Sequence, residues 1–117
     1  MTSIIVHRLI TICCIYVIYL VHIDDVMQEL WEEGAREIAV VGLPPMGCLP
    51  VMITLNRFDG VRGCLDKYSS VARDYNQMLQ HELQLMQHRF SNPAANFYYV
   101  DIYGPLADMI QAPQKYG

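Results

Sequence analysis

The sequence predicts an α/β fold, and three observations carry that expectation. Four consecutive apolar residues, Ile38 to Val41, read as a buried strand. Phe97 to Ile102, rich in aromatic and β-branched residues, reads as a second strand. Between them Leu65, Tyr68, Val71, Ala72, Tyr75, Leu79, Leu83 and Met86 recur at helical spacing over residues 65–90. Strand, long helix and strand make a βαβ unit, with parallel strands and a right-handed crossover expected. Parallel strands need cover on both faces, which two strands and three helices cannot provide for one another. The unit therefore reads as part of a larger doubly wound sheet.

The remaining elements follow in order. Ile23, Val26, Met27, Leu30 and Trp31 place an amphipathic helix over residues 23–33, closed by Gly34. The first strand spans 37–42, where Gly42 lets the chain turn. Pro44 and Pro45 bar helix and sheet from continuing, so residues 43–63 are expected to form a stiff, extended loop. Ser91-Asn92-Pro93 ends the long helix. Pro105 suits a first helical turn, giving a short helix near 105–111 that Pro113 stops.

A chain of 117 residues allows one domain, and its net charge of −4 argues against a nucleic-acid partner. Asp24, Asp25, Glu29, Glu32, Glu33 and Glu37 stand against Arg36 alone, the pattern of a solvated helix face. Cys13 and Cys14 lie adjacent in an apolar run and read as buried thiols. Cys48 and Cys64 each follow a glycine and bracket the loop, with no His or Cys at zinc-ligand spacing around them. A disulfide between them fits a secreted protein; two free thiols in a reducing compartment is the alternative. No metal or cofactor is expected.

Residues 1–22 form a separate apolar segment ahead of a domain expected over 23–117. Arg8 precedes thirteen uncharged residues, Leu9 to Val21, in the manner of a signal peptide. The run is short for a membrane span, which needs about 20 residues. No small-residue cleavage site follows, since His22-Ile23-Asp24-Asp25 comes next. Three readings stand: a signal or anchor that associates residues 9–21 with a membrane, a remnant extension, or a native strand.

Residues 34–50, Gly-Ala-Arg-Glu-Ile-Ala-Val-Val-Gly-Leu-Pro-Pro-Met-Gly-Cys-Leu-Pro, are the most informative stretch. They resemble the "GARKIAVVGLPPLGCLP" block of plant GDSL esterase/lipases, in the SGNH hydrolase superfamily. The likeness continues through Arg62-Gly63-Cys64, Tyr75-Asn76, Tyr99 to Tyr103, Pro113 and Lys115 to Gly117, covering residues 23–117. It implies a flavodoxin-like three-layer α/β/α fold, of which this chain holds a part, and a secreted protein acting on ester or lipid substrates. It also implies Ser-acyl ester hydrolysis, with an Asp-oriented His as base and an oxyanion held by the Ser N–H, a Gly and an Asn.

The residues that perform this chemistry are absent from the chain. Ser3, Ser69, Ser70 and Ser91 do not follow Gly-Asp; Asn56, Asn76, Asn92 and Asn96 do not precede Asp; no Asp has a His three residues later. No catalytic residue is therefore assigned, and the chain reads as a C-terminal-half fragment of such an enzyme, inactive alone. His7, His22, His81 and His88 have no partnered Ser or Cys and read as surface or packing residues. Asp101, outside the resembled family's catalytic blocks, reads as a cap for the next helix. Pro44, Pro45 and Met46 follow a central strand, where α/β sheets open onto ligands, and could line an acyl pocket or form a rigid turn tied by Cys48. Two competing readings use the same residues: a non-catalytic interaction module on the same scaffold, and a small membrane-anchored protein resting on residues 9–21.

Overall fold

A computed structural model of the chain describes residues 19–56, 63–91 and 94–117. Helix α1 covers residues 19–32 and is followed by strand β1 (Glu37–Val41). A 3-10 turn (Met46–Cys48) and the short helix α2 (Pro50–Leu55) lead to the long helix α3 (Asp66–Arg89). Strand β2 (Asn96–Val100), helix α4 (Tyr103–Gln111) and a 3-10 turn (Pro113–Lys115) complete the chain. The strands pair in parallel, with Glu37 opposite Asn96 and Val41 opposite Val100. The molecule is thus α/β, with a two-stranded parallel sheet and α3 as the crossover.

Gly34 ends α1 as its position predicts. It adopts φ +102°, donates its N–H to Trp31 C=O at 3.1 Å, and lets Ala35 N–H reach Leu30 C=O at 2.9 Å. This double bond pattern satisfies carbonyls that the helix end would otherwise leave open. Arg36 then lies over the Trp31 ring, 5.3 Å from its centroid, and donates to Trp31 and Ala35 carbonyls at 2.7 Å.

The core lies on one side of the sheet. Met27 of α1 and Leu79, Leu83 and Met86 of α3 bury against Ile38, with Phe90 and Ala95 completing the cluster. Trp31, Phe90 and Phe97 stack in a row with centroids 5.3 and 5.6 Å apart. Side chains of this size contribute about 1.5–3 kcal/mol each when fully buried. Along both strands, alternate residues turn away from that core: Val41 is 56% exposed and Tyr98 51%. Parallel strands ordinarily bury both faces. Here α1 and α3 share one face, and the face carrying Ala39, Val41, Tyr98 and Val100 is open.

Several boundaries differ from the sequence reading, among them the start of α4, at Tyr103 rather than near Pro105. Helix α1 is already formed at residue 19, the first described residue, ahead of the expected 23, and Leu20 also packs against the core. The expected extended loop 43–63 holds as far as Pro45 but then coils into the 3-10 turn and α2. Pro50 stands at the first position of α2, where a fixed φ and a missing N–H fit a helix start, and Leu49 before it is extended at ψ 136°. Strand β2 stops at Val100 because Asp101 turns to serve the helix that follows. The signal, anchor and strand readings fall almost wholly on residues 1–18, and those of Cys13 and Cys14 entirely so, outside the described residues. Among the described residues no helix is long and apolar enough to cross a membrane.

Candidate functional site

The segment after β1 is held by two side chains of α3, Asn76 and Ser69, together with backbone bonds and a disulfide. Gly42 N–H closes the ladder on Val100 C=O at 3.1 Å. Leu43 N–H donates to Asn76 Oδ1 at 2.7 Å, and Asn76 Nδ2 donates back to Leu43 C=O at 2.9 Å. Pro45 is fully buried, while Pro44 and Met46 keep part of their surface. Gly47 N–H donates to Ser69 Oγ at 3.1 Å, and Gly47 C=O accepts Leu65 N–H at 2.9 Å. A disulfide joins Cys48 to Cys64, with Cα atoms 4.3 Å apart.

Two glycines are needed for this close approach. A Cβ on Gly47 would overlap the Leu65 carbonyl, and one on Gly42 would overlap the Tyr99 hydroxyl and the Asn76 amide. Backbone and side chain touch at these points where any larger residue would separate them.

An open cleft of about 420 Å³ lies at the carboxyl end of β2, lined by Arg73, Asn76, Gln77, Gln80, Tyr99, Asp101, Tyr103 and Gly104. Ligands of open α/β sheets bind beyond the carboxyl ends of strands, so this is the expected end of the molecule. Arg73 Nη1 donates to the Tyr103 hydroxyl at 2.7 Å, and Nη2 pairs with Asp66 at 3.1 Å. Burial pushes the Tyr99 phenol above its ordinary value, and the Asp101 charge adds to the shift. Asp101 Oδ1 accepts the N–H groups of Tyr103 and Gly104 at 2.9 and 3.1 Å, so it caps α4 as its position predicts.

Among the described residues serine and histidine are not brought together. Ser69 is buried and its Oγ accepts the Gly47 amide, Ser70 donates to Lys67 C=O, and His81 and His88 are exposed on α3. Among the described residues no group of three His, Cys, Asp or Glu side chains could hold a metal.

The family model for GDSL-like lipase/acylhydrolase matches residues 19–117. The chain belongs to this family. It is 43% identical over 98 residues to the GDSL esterase/lipase At5g45960 of Arabidopsis thaliana, covering 82% of this chain and 26% of that relative. GDSL esterase/lipase At2g30310 is 43% identical over 95 residues, covering 81% and 26%, and At2g40250 is 42% identical over 103 residues, covering 84% and 28%. Both are also from Arabidopsis thaliana. The chain therefore spans about a quarter of the length of these curated relatives. No solved structure matches it.

In this GDSL chain the 34–50 block runs from the turn that closes α1 through all of β1 and the braced loop to the first residue of α2. Ser69 and Asn76, which do the bracing, were not singled out as site residues from the sequence. The signal was present: Ser69, Ala72, Asn76, Leu79, Leu83 and Met86 are the buried stripe of α3, spaced alternately by three and four. Two polar residues on such a stripe must find buried partners.

Proposed function

We propose that this chain is a scaffold segment of a GDSL-type hydrolase of carboxylic esters, in lipids or acylated small molecules, and has no hydrolytic activity alone. Residues 23–117 then form part of a three-layer α/β/α sheet in a secreted enzyme. The observation that carries the reading is the braced loop 42–49, the family's own block set at the carboxyl end of β1. In that setting Pro44 and Met46 offer apolar surface to an acyl chain, and buried Pro45 supports them. The nucleophile, the base and the oxyanion donors have no counterpart in these 117 residues. A hydroxyl attacks an ester at neutral pH only with a positioned base and oxyanion donors, so the isolated segment has no route to turnover.

A chimera tests this. Residues 23–117 replace the matching segment of the GDSL esterase/lipase At5g45960, and hydrolysis of p-nitrophenyl butyrate is measured. The chimera should be active and the isolated chain inactive. A folded, inactive chimera beside an active parent would overturn the reading and favour a non-catalytic interaction module, which the missing catalytic blocks also suit.

A further inference from the structure

Gln77, Gln80, Gln84 and Gln87 of α3 are spaced three, four and three apart. They therefore stand on one stripe of the helix, about 15 Å long. The stripe runs beside Phe97 and Tyr99, which pack against the core from β2. Two hollows follow it. The cleft of about 420 Å³ takes in Gln77 and Gln80, and a second hollow of about 210 Å³ takes in Gln80, Gln84 and Gln87. They share Gln80 and Tyr99, so they form one groove between α3 and β2. Gln87 is already engaged: its Oε1 accepts Phe97 N–H at 2.9 Å and its Nε2 donates to Ala95 C=O at 2.5 Å. Among the described residues no hydrogen bond engages the amides of Gln77 and Gln84. The charged groups lining the groove are Arg73 and Asp101, both at one end. Asp66 pairs with Arg73 at 3.1 Å, and Asp101 is taken by the first N–H groups of α4.

We infer that this groove binds an uncharged, polyhydroxylated chain, a neutral oligosaccharide with extended β-1,4 links. A side-chain amide both donates and accepts hydrogen bonds, and so does each sugar hydroxyl, so the glutamine stripe and a row of hydroxyls satisfy one another. The C–H face of a pyranose ring is apolar and covers aromatic carbon of the kind Tyr99 and Phe97 offer. Other ligand classes fit less well. A phosphate or carboxylate needs a cation without a counter-ion, and Arg73 has Asp66. An acyl chain would strip water from the amides and return no hydrogen bonds. An extended peptide would seek backbone partners on β2, where Phe97 N–H and Ala95 C=O are taken by Gln87. A straight stripe on a helix favours an extended chain over a coiled one. Helix and strand carry these groups, so little ordering is lost on binding. The inference stands apart from ester hydrolysis and from the role of the braced loop.

The test titrates the full 117-residue chain with cellohexaose and follows binding by NMR. The side-chain NH2 signals of Gln77, Gln80 and Gln84 should shift together, along with the backbone amides of Phe97 and Tyr99. Gln77→Leu and Gln84→Leu change exposed positions, keep the bulk of the side chain and remove its amide. Each should weaken binding about three- to tenfold, and the double variant about tenfold or more. Gln28→Leu removes an exposed amide on α1, away from the groove, and should leave binding unchanged. Maltohexaose, coiled by its α-1,4 links, should bind more weakly than cellohexaose. The inference is overturned by any of four results: no shifts at millimolar cellohexaose, shifts confined to the open face of Val41, Tyr98 and Val100, unchanged affinity in the folded double variant, or maltohexaose binding as tightly. Tighter binding of hexagalacturonate would assign the groove to an anion, and tighter binding of an uncharged Gly-Ser peptide would assign it to a polypeptide; either also overturns it. None of these readouts involves turnover, so the chimera experiment stands or falls separately.

Discussion

The Asn76 side chain is a backbone surrogate for Leu43: its carbonyl accepts the Leu43 N–H at 2.7 Å and its amide donates to the Leu43 C=O at 2.9 Å. The two residues are 33 positions apart, and the pairing fixes the first residue after β1's turn against α3. Leu43 has no strand partner beyond Val100, so without Asn76 both its polar groups would be partly buried and unbonded. Asn76→Ala should destabilise the chain by about 1–3 kcal/mol, the cost of leaving such groups unsatisfied. Asn76→Asp keeps the acceptor but sets a carboxylate oxygen against the Leu43 carbonyl, so it should not rescue the loss. Urea titrations of the three proteins would check both expectations.

Gly47→Ala should be worse than a helix-propensity argument suggests. Its Cβ meets backbone, the Leu65 carbonyl, which cannot swing aside as a flexible side chain would. A shift must break either the Gly47–Ser69 or the Gly47–Leu65 hydrogen bond, at a cost of about 1–3 kcal/mol. Gly34→Ala tests a different cause, since its site is open but its φ is +102°. Its loss should be smaller, about 1–2 kcal/mol.

Reducing the Cys48–Cys64 disulfide should lower stability by about 3 kcal/mol, the chain-entropy value for a closed loop of about 15 residues. Mass spectrometry of unreduced peptides should find the cross-linked pair. Two alkylatable thiols after oxidative refolding would contradict it.

The one-sided core predicts a contrast between neighbours in the fold. Leu79, fully buried, should cost about 2–5 kcal/mol on truncation to Ala. Val41, 56% exposed, should cost no more than about 0.5 kcal/mol. Equal losses at both positions would mean the open face is covered in solution.

Alkaline pH should unfold the chain earlier than its surface charge implies. Burial raises the phenol pKa of Tyr75 and of Tyr99, with Tyr19 and Asp101 respectively adding to it. Each phenol ionises near pH 10 in the unfolded chain but resists ionisation when folded. The folded state then holds more protons, so this stability is complete below about pH 10 and lost as pH rises through the folded values. Tyr99→Phe should flatten the decline in Tm between pH 9 and 11, relative to the parent, because it removes one of the two groups.

Much of the architecture was legible along the chain because it depends on near neighbours. The stop at Gly34 needs only its own φ and the preceding turn. The helical stripe of α3, the apolar run of β1 and the Asp101 cap are likewise local patterns. Helix α2 falls inside the stretch that Pro44 and Pro45 mark as a loop, and Pro50 stands at its first position, where a proline starts a helix as readily as it ends one.

The sequence by itself determined the α/β class, the parallel βαβ unit, the family block and the absence of the catalytic motifs, since these are written in composition, period and order. Only the tertiary structure decided how Ser69, Asn76 and Gln87 are used, and which face of the sheet stays open. The reason is physical: each of those three side chains bonds backbone 8 to 33 residues away. Such a partner is chosen by the packing of α3 on the sheet, not by any spacing along the chain.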